Sequence, residues 1–157
     1  MPKKVAVLGA ICVSLLATSA NADVTDNLNL QATITGTCTV NNGADINFGA
    51  AILSLSAAVT ASTTVDVNCT NTIPYTVGIS NGANGNRFLA DGGGNFIDYE
   101  LYSDAGYATR FENIGTSTVG GNGTGAVQTY GIYARIPAQT TPPAGTYTDT
   151  VVVSVRY

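Results

Sequence analysis

The chain has 157 residues, of which only 10% are charged and 45% are hydrophobic. Its start has the organisation of a secretory signal. Lys3 and Lys4 precede a mostly apolar run from Val5 to Ala17, and Ala20-Asn21-Ala22 matches the small-x-small pattern of a signal-peptidase site. The apolar run is too short for a membrane span and nothing later approaches one, so we expect no integral membrane segment. We expect residues 1–22 to be a signal peptide, which leaves about 135 residues for one domain with a hydrophobic core.

The charge of the mature chain excludes several classes of function. Both lysines leave with the signal, so four arginines (87, 110, 135 and 156) face ten acidic residues, a formal charge of −6. Nucleic acid and anionic membrane surfaces require a basic face and are therefore excluded as partners. Histidine and tryptophan are absent from the sequence, which closes most routes to acid–base, Schiff-base or zinc chemistry. We expect no catalytic residue, no cofactor and no metal site.

Two cysteines remain after removal of the signal, which contains Cys12. An even pair in an exported protein is most simply a disulfide, so we expect Cys38 and Cys69 to be bonded. Closing a loop of that size stabilises a fold by roughly 3–4 kcal/mol. A redox or metal pair is disfavoured because the sequence has neither a CxxC spacing nor a third ligand.

The sequence predicts an all-β sandwich of short strands. Thr, Val, Gly, Asn and Tyr dominate, turn signals recur at short spacing, and no segment has a helical stripe. The segment 50–62 is ambiguous between an irregular strand, a short helix and a crossover. The predicted strands are Gln31–Val40, Asp45–Phe48, Thr63–Cys69, Tyr75–Ser80, Ile97–Ser103, Gln128–Ile136 and Thr146–Tyr157, and turns are predicted at Asn81–Asn86, Asp91–Asn95, Gly120–Gly125 and Thr140–Gly145.

The mature N-terminus alternates polar and apolar residues over an unusually long stretch. Every odd position from Thr25 to Thr35 is polar, while the even positions are apolar except Asp26. This pattern predicts a segment that lies in a sheet with one face buried. With the strand-like residues up to Val40, the extended run covers 18 residues, whereas ordinary strands have about 5 or 6. It is either a long edge strand of its own fold or, from Val24 to about Ala32, a strand that completes the sheet of another molecule.

The C-terminal segment Thr146–Tyr157 is the strongest predicted strand. It places Val151, Val153, Val155 and Tyr157 on one face. A last core strand with an open edge is an aggregation hazard unless something pairs with that edge. The sequence leaves open whether an earlier strand of the same domain or a strand of another molecule does so.

Four motifs give a resemblance to a known family. They are Ile34–Val40 (ITGTCTV), Tyr99–Ala105 (YELYSDA), Gly131–Gln139 (GIYARIPAQ) and Pro143–Val155 (PAGTYTDTVVVSV). Together they resemble the spore coat protein U domain family, which includes subunits of archaic, Csu-type chaperone–usher pili. The motifs span nearly the whole mature chain. Phe111 departs from the family pattern, in which a tryptophan is expected, but retains an aromatic ring.

The resemblance implies an incomplete immunoglobulin-like β-sandwich that lacks its last strand. In such subunits the open groove is filled first by a periplasmic chaperone and then by the N-terminal extension of the next subunit, a case of β-strand addition. The implied chain is a structural pilus subunit for surface attachment and biofilm formation. It would pass through the periplasm and an outer-membrane usher to the cell surface, where neighbouring copies of the same or related subunits polymerise head to tail.

The resemblance also assigns parts to the segments of this sequence. Residues 23–33 are expected to be the donor-strand extension and residues 34–157 the sandwich domain. The donor side chains would be Val24, Leu28, Leu30 and Ala32, and the groove beside the terminal strand would be lined by Val151, Val153, Val155 and Tyr157.

Two other classes of function are alternatives for this sequence. A tip adhesin, coat protein or lectin-like module could use the glycine- and asparagine-rich loops to bind a carbohydrate or a surface. Those loops are more simply turns, and Gly120–Gly123 is a weak match to the start of a calcium-binding repeat. An enzyme could use Asp98 and Glu100, which lie two residues apart, but no nucleophile or general base accompanies them.

Overall fold

The computed structural model describes residues 22–49 and 52–157. The expected signal peptide, apart from its last residue, and positions 50 and 51 of the ambiguous segment lie outside the described residues. The chain divides into two units, Met1–Thr33 and Ile34–Tyr157. In the first, residues 22–33 form neither helix nor strand, and every side chain among them is exposed. Within the described ranges no helix is long and apolar enough to cross a membrane.

The second unit is all-β over its described residues. Its strands are β1 (Cys38–Asn42), β2 (Val59–Cys69), β3 (Pro74–Ile79), β4 (Phe88–Ala90), β5 (Phe96–Asp98), β6 (Glu100–Tyr102), β7 (Gly120–Asn122), β8 (Val127–Ile136) and β9 (Val153–Arg156). One antiparallel sheet has the order β1-β2-β8-β6, a second has the order β7-β3-β9, and β4 pairs with β5 in a two-stranded ribbon. Buried side chains of both larger sheets belong to one hydrophobic cluster. The predicted immunoglobulin-like β-sandwich is therefore confirmed.

The long pairing of β2 with β8 forms the centre of the first sheet. Ten residues of each strand are in register, from Val59 opposite Ile136 to Asn68 opposite Val127. Burial alternates along both strands, so that every second side chain enters the core. This period of two is what a sheet with one face in a core requires.

Two cross-links hold the sandwich together. The predicted disulfide between Cys38 and Cys69 is present and joins residues directly opposite each other on β1 and β2. The hydroxyl groups of Tyr75 on β3 and Tyr130 on β8 lie 2.7 Å apart, so a hydrogen bond connects the two sheets. Burial is the main cause that raises the pKa of the Tyr75 hydroxyl above its usual value, and the hydrogen bond to Tyr130 raises it further.

Gly78 allows a loop to cross β3 on the side away from the core. A Cβ atom at this position would lie 2.3 Å from the backbone nitrogen of Ile114 and 2.7 Å from the carbonyl carbon of Asn113. No side chain fits between these backbones, which is the usual reason for a buried glycine inside a strand.

One predicted strand is divided between two sheets. Ile97–Ser103 was expected to be continuous, but β5 ends at Asp98, where it pairs with β4, and β6 begins at Glu100, where it pairs with β8. Tyr99 lies at the break, and its backbone N–H donates to the carbonyl oxygen of Arg87. Strands that change sheets at such a corner keep their alternating pattern, so the sequence did not reveal the break.

The predicted C-terminal strand is much shorter in the structure. Thr148 makes an isolated bridge with Ala90, and regular pairing begins only at Val153. In between, backbone and side-chain partners are mixed: the carbonyl oxygen of Val152 accepts from the backbone N–H of Ser80, whereas the N–H of Val152 donates to Ser80 Oγ and the N–H of Thr150 donates to Asp149 Oδ1. Such local side-chain bonds compete with a regular ladder.

Other predicted boundaries also change. Gln31–Val40 is strand only from Cys38 onward, and Asp45–Phe48 is not a strand. The described residues of the ambiguous segment bend and enter β2 at Val59. β4 was not predicted, and β7 lies where Gly120–Gly125 was expected to be a turn. Three-residue strands are too short to show a period.

A buried arginine joins three segments of the sandwich. Arg87 is 6% exposed and has a positive φ of 60°, a conformation that costs energy for a residue with a side chain. Its guanidinium donates to the carbonyl oxygens of Phe111 at 2.6 Å and Ile79 at 3.2 Å and pairs with Glu100 at 3.1 Å. Arg110 pairs with the other oxygen of the same carboxylate from the solvent side.

The disulfide predicts a measurable stability loss. Replacing Cys38→Ser together with Cys69→Ser should lower the free energy of unfolding by about 3 kcal/mol, because the unfolded chain regains the entropy of an open loop. Urea unfolding followed by circular dichroism measures it. The unmodified protein under a reducing agent should unfold at the same midpoint as the variant. An unchanged midpoint in both would show that the bridge does not stabilise the fold.

The two arginines on Glu100 predict unequal costs. Arg87→Met should lower the free energy of unfolding by about 3 kcal/mol or more, because it leaves the carbonyl oxygens of Ile79 and Phe111 without this donor and removes the buried one of the two arginines that pair with Glu100. Arg110→Met is the matched control and should cost less than about 1 kcal/mol, because its pair is exposed to solvent. Equal losses of the free energy of unfolding in the two variants, measured by the same experiment, would show that Arg87 stabilises the fold no more than Arg110 does.

Candidate functional site

β9 is an edge strand with free backbone groups on one side. It pairs with β3, and no strand in the described part of the chain pairs with its other side. The N–H of Ser80 donates to the carbonyl of Val152, which fixes the alternation of the ladder. The N–H and C=O groups of Val153 and Val155 therefore point away from β3. These groups are available to a further strand.

A groove begins beside Val153, the first residue of this edge strand, and reaches the core of the sandwich. We call it the lateral groove. Its first part has a volume of about 370 Å³. One wall is the segment from Asn42 to Phe48 and the other is Asp149 to Val153. Its floor comes from both sheets and includes Ile79 of β3, Leu101 of β6 and Ile132 and Ala134 of β8.

The groove continues beyond the ends of the strands. The adjoining part has a volume of about 780 Å³ and lies between Asp45–Leu55, of which positions 50 and 51 are not described, and Thr141–Asp149. Leu89, Ile97 and Ile136 contribute apolar side chains to it. Ile46, Phe48 and Asp149 are among the residues that line both parts, so the two volumes form one elongated depression.

A polar pair lies where the two parts meet. The Tyr99 hydroxyl donates to Asp149 Oδ2 at 2.6 Å, and the pKa of Tyr99 is raised by burial and then by this bond. Asp149 Oδ1 also accepts from the backbone N–H of Asn84 at 3.2 Å. A Cβ at Gly82, where φ is +91°, would lie 1.9 Å from the same carboxylate, so only glycine fits there. Asp149 thus ties the 82–84 loop to the wall of the groove.

The structure places the predicted terminal-strand residues unequally. Val151 and Val153 line the groove, and Val151, Val153 and Val155 pack against the core cluster. Tyr157, expected on the same face, is 60% exposed and lies outside that cluster. The fourth core-facing position is therefore open to solvent.

The predicted donor residues are exposed. Val24, Leu28 and Leu30 are 97%, 83% and 85% exposed, and Ala32 is exposed as well. Large apolar side chains at this level of exposure are unusual on a soluble protein when they recur along one segment.

Asp98 and Glu100 do not form a pair of free acids. Asp98 ends β5 and is exposed, whereas the Glu100 carboxylate is occupied by Arg87 and Arg110. Among the described residues no three His, Cys, Asp or Glu side chains are grouped as metal ligands. The glycine-rich Gly120–Gly123 stretch contains β7.

Sequence reasoning missed one wall of the groove and its polar pair. Ile46 and Phe48 alternate with exposed Asp45 and Asn47, which led to the prediction of a strand, but the segment lines the groove without pairing. This alternation of polar and apolar residues could have indicated that Ile46 and Phe48 face inward. The bond between Tyr99 and Asp149 had no sequence signal, because 50 positions separate its partners.

Comparison with known proteins gives one family and one informative structure. No curated protein matches the chain. Among solved structures, a chain of the crystal structure of the CsuC–CsuE chaperone–tip adhesion subunit pre-assembly complex, from archaic chaperone–usher Csu pili of Acinetobacter baumannii, is similar with a TM-score of 0.56 and 25% identity. The match covers 80% of this chain but only 40% of that one. The family model of the Spore Coat Protein U domain matches residues 24–154. The chain therefore belongs to the Spore Coat Protein U domain family.

Proposed function

We propose that this protein is a structural subunit of a chaperone–usher pilus that polymerises by strand donation. The lateral groove carries the proposal: it is a depression with an apolar floor that opens into a core between two sheets, next to an edge strand with free backbone groups. A single added strand could fill the groove and pair the free backbone groups together, since its backbone would pair with β9 and its alternate side chains would enter the groove.

The occupant we propose is the N-terminal segment of a second copy or of a related subunit. Residues 22–33 have no secondary structure of their own and alternate polar with apolar side chains, as an added strand requires. Val24, Leu28, Leu30 and Ala32 share the apolar face. Burying Leu28 and Leu30 in a groove would contribute roughly 3–6 kcal/mol before the cost of ordering the segment.

Insertion of the N-terminal segment of one subunit into the groove of the next would generate a filament. Each subunit offers one segment and one groove, and the two surfaces differ, so the contact is head-to-tail. Such a contact extends into a fibre when its rotation does not close a ring. Surface attachment and biofilm formation are the roles we propose for the fibre.

The same groove also suggests which proteins bind this subunit during export. The solved structure described above holds a pilus subunit with its chaperone before assembly. We propose that a periplasmic chaperone covers the groove of this protein until an outer-membrane usher brings the next subunit. The mature protein would then lie outside the cell, consistent with its secretory signal and its disulfide.

The donor segment gives the first test. Leu28→Asp with Leu30→Asp should abolish polymerisation while export and folding continue, because two carboxylates would have to enter an apolar groove. The matched control is Asn27→Asp with Asn29→Asp, which adds the same charge to the opposite face and should still polymerise. The measurement is the ladder of bands in denaturing gels without heating. Ladders of normal length from the leucine variant would contradict the donor assignment.

A truncation separates assembly from the alternative function. Mature protein starting at Asp23 should give a ladder and protein starting at Thr33 should not, because only the first can donate a strand. Circular dichroism checks that both are folded. A stable, cooperatively folded monomer from both would show that the sheet is complete by itself and would favour a carbohydrate- or surface-binding module, to be followed by a glycan screen.

A further inference from the structure

We propose that the outer face of the first sheet binds a polysaccharide built from carboxylated sugars. The site consists of three half-buried tyrosines and two arginines, which we call the tyrosine platform: Tyr102, Tyr107, Tyr133, Arg110 and Arg135. None of these side chains lines either part of the lateral groove. The inference therefore goes beyond strand donation and does not depend on it.

Strand pairing brings the platform together from separate parts of the chain. On β8 the side chain of Ala134 is in the core, so its neighbours Tyr133 and Arg135 lie on the outer face. Tyr133 is directly opposite Tyr102 of β6, and a bridge joins Tyr102 to Arg110. Residues directly opposite each other in antiparallel strands have Cβ atoms about 5 Å apart. The two tyrosines and Arg110 therefore form a row across the edge of the sheet.

The third tyrosine is held on the platform by a strained loop. Tyr107 has a positive φ of 56°, which is uncommon for a residue with a bulky side chain. The Asp104 carboxylate stabilises this loop, because it accepts from the backbone N–H groups of Gly106 at 2.9 Å and Thr109 at 2.6 Å. The ring of Tyr107 then meets the ring of Tyr102 edge to face, with centroids 5.4 Å apart. Backbone strain that other bonds hold in place is a feature of ligand sites.

Gly131 lets the ring of Tyr133 lean against the sheet. A Cβ atom at this glycine would lie 2.7 Å from Cε2 of the ring and 2.9 Å from its Cζ and its hydroxyl oxygen. The ring therefore covers the backbone of Gly131 and presents a broad side, rather than its hydroxyl end, to solvent. A flat apolar area with polar groups at its margin fits a sugar ring, which has an apolar face and hydroxyl groups around it.

The charges at this face fit a carboxylated sugar. Three of the four arginines that remain after removal of the signal are here. Arg87 and Arg110 both bind Glu100, whereas Arg135 takes part in neither of these two ion pairs of the described residues. Its guanidinium carbon lies 5.5 Å from the centroid of the Tyr107 ring, a contact that orients the group. A guanidinium held in this way can bind a carboxylate through two parallel hydrogen bonds.

The net negative charge of the mature chain does not prevent this binding. At physiological ionic strength, exposed charges further apart than about 8 Å are largely screened from each other. The guanidinium beside the ligand therefore outweighs the carboxylates elsewhere on the surface. The neighbouring strand β2 adds exposed hydroxyl groups, with Ser62 opposite Tyr133 and Thr60 opposite Arg135, as partners for the hydroxyl groups of a sugar.

Immobilised polygalacturonate is the probe, and the mature protein is the ligand-binding species. We expect binding that weakens as the salt concentration is raised, because opposite charges contribute to it. Binding to the methyl ester of the same polymer should be about tenfold weaker or more, since the ester has lost the charged acceptor. Equal binding to both polymers, or binding to neither, would overturn the proposal.

Two arginine variants separate this face from a general effect of charge. Arg135→Gln should weaken binding to polygalacturonate about tenfold, because the carboxylate loses its charged donor. Arg156→Gln is the matched control, because it removes the same charge from the end of β9 in the other sheet, and it should bind as the unmodified protein does. Equal weakening in both variants would contradict a site on this face.

A glycine variant tests the position of the Tyr133 ring without removing any side chain of the platform. Gly131→Ala should displace the ring and weaken binding about threefold or more. Gly121→Ala is the matched control: its Cβ would lie 3.6 Å from the Tyr130 hydroxyl oxygen, an ordinary contact, so binding should be retained. Thermal unfolding followed by circular dichroism checks that both variants are folded. Full binding by a folded Gly131→Ala variant would overturn the part assigned to Tyr133.

A contact between copies of this chain is the competing use of the platform. Sedimentation of the Leu28→Asp, Leu30→Asp variant, which keeps the platform, tests for it. Association that rises with concentration and is lost on adding Arg135→Gln, together with no binding to polygalacturonate, would assign the face to a second copy and overturn the polysaccharide site. Failure of strand donation would instead remove the ladder of the unmodified protein and leave binding to polygalacturonate unchanged.

Discussion

The structure depends on an unfinished hydrophobic interface between its two sheets. The core is shared by β2, β6 and β8 on one side and β3 and β9 on the other, but within the described ranges β9 has a partner along one edge only. Apolar side chains at the open edge and free backbone groups beside them are both costly in water, and the same added strand would remove both costs. The groove lies at this open edge, and the proposed assembly would fill it.

A rigid frame around the groove keeps it open rather than collapsed. Arg87 fixes the carbonyl of Ile79, whose side chain forms part of the floor, and Asp149 fixes the 82–84 loop to the wall. The disulfide holds β1 to β2, next to the segment that forms the other wall. Of these groups only Arg87 is buried with its partners, and a buried network whose members are all paired favours a single arrangement.

Charge has two separate uses in this molecule. Inside the sandwich, Glu100 is balanced by two arginines, so its charge supports the fold. Along the N-terminal segment and the groove wall, the acidic residues Asp26, Asp45 and Asp149 have the same sign. In the proposed assembly they repel one another or resist burial. Affinity would come from burial of Leu28 and Leu30.

The sequence by itself determined the fold class, the disulfide and the inward faces of the main strands. The alternation of polar and apolar residues in β2, β3 and β8 is a local signal, and the even pair of cysteines is a compositional one. Both can be recognised without knowing which strands pair with each other. Tertiary structure decided where strands end. Ile97–Ser103 breaks at Tyr99 because the chain changes sheets, and regular pairing begins only at Val153 because the N–H groups of Thr150 and Val152 donate to the side chains of Asp149 and Ser80.

The groove itself was decided only in three dimensions. Its walls come from positions 42–55 and 141–153, and its floor comes from strands of both sheets. Nothing in the local pattern of any one of these segments states that they enclose an open space. The sequence specifies which side chains are apolar and how often they recur, but the distance between the two walls depends on how the sheets pack.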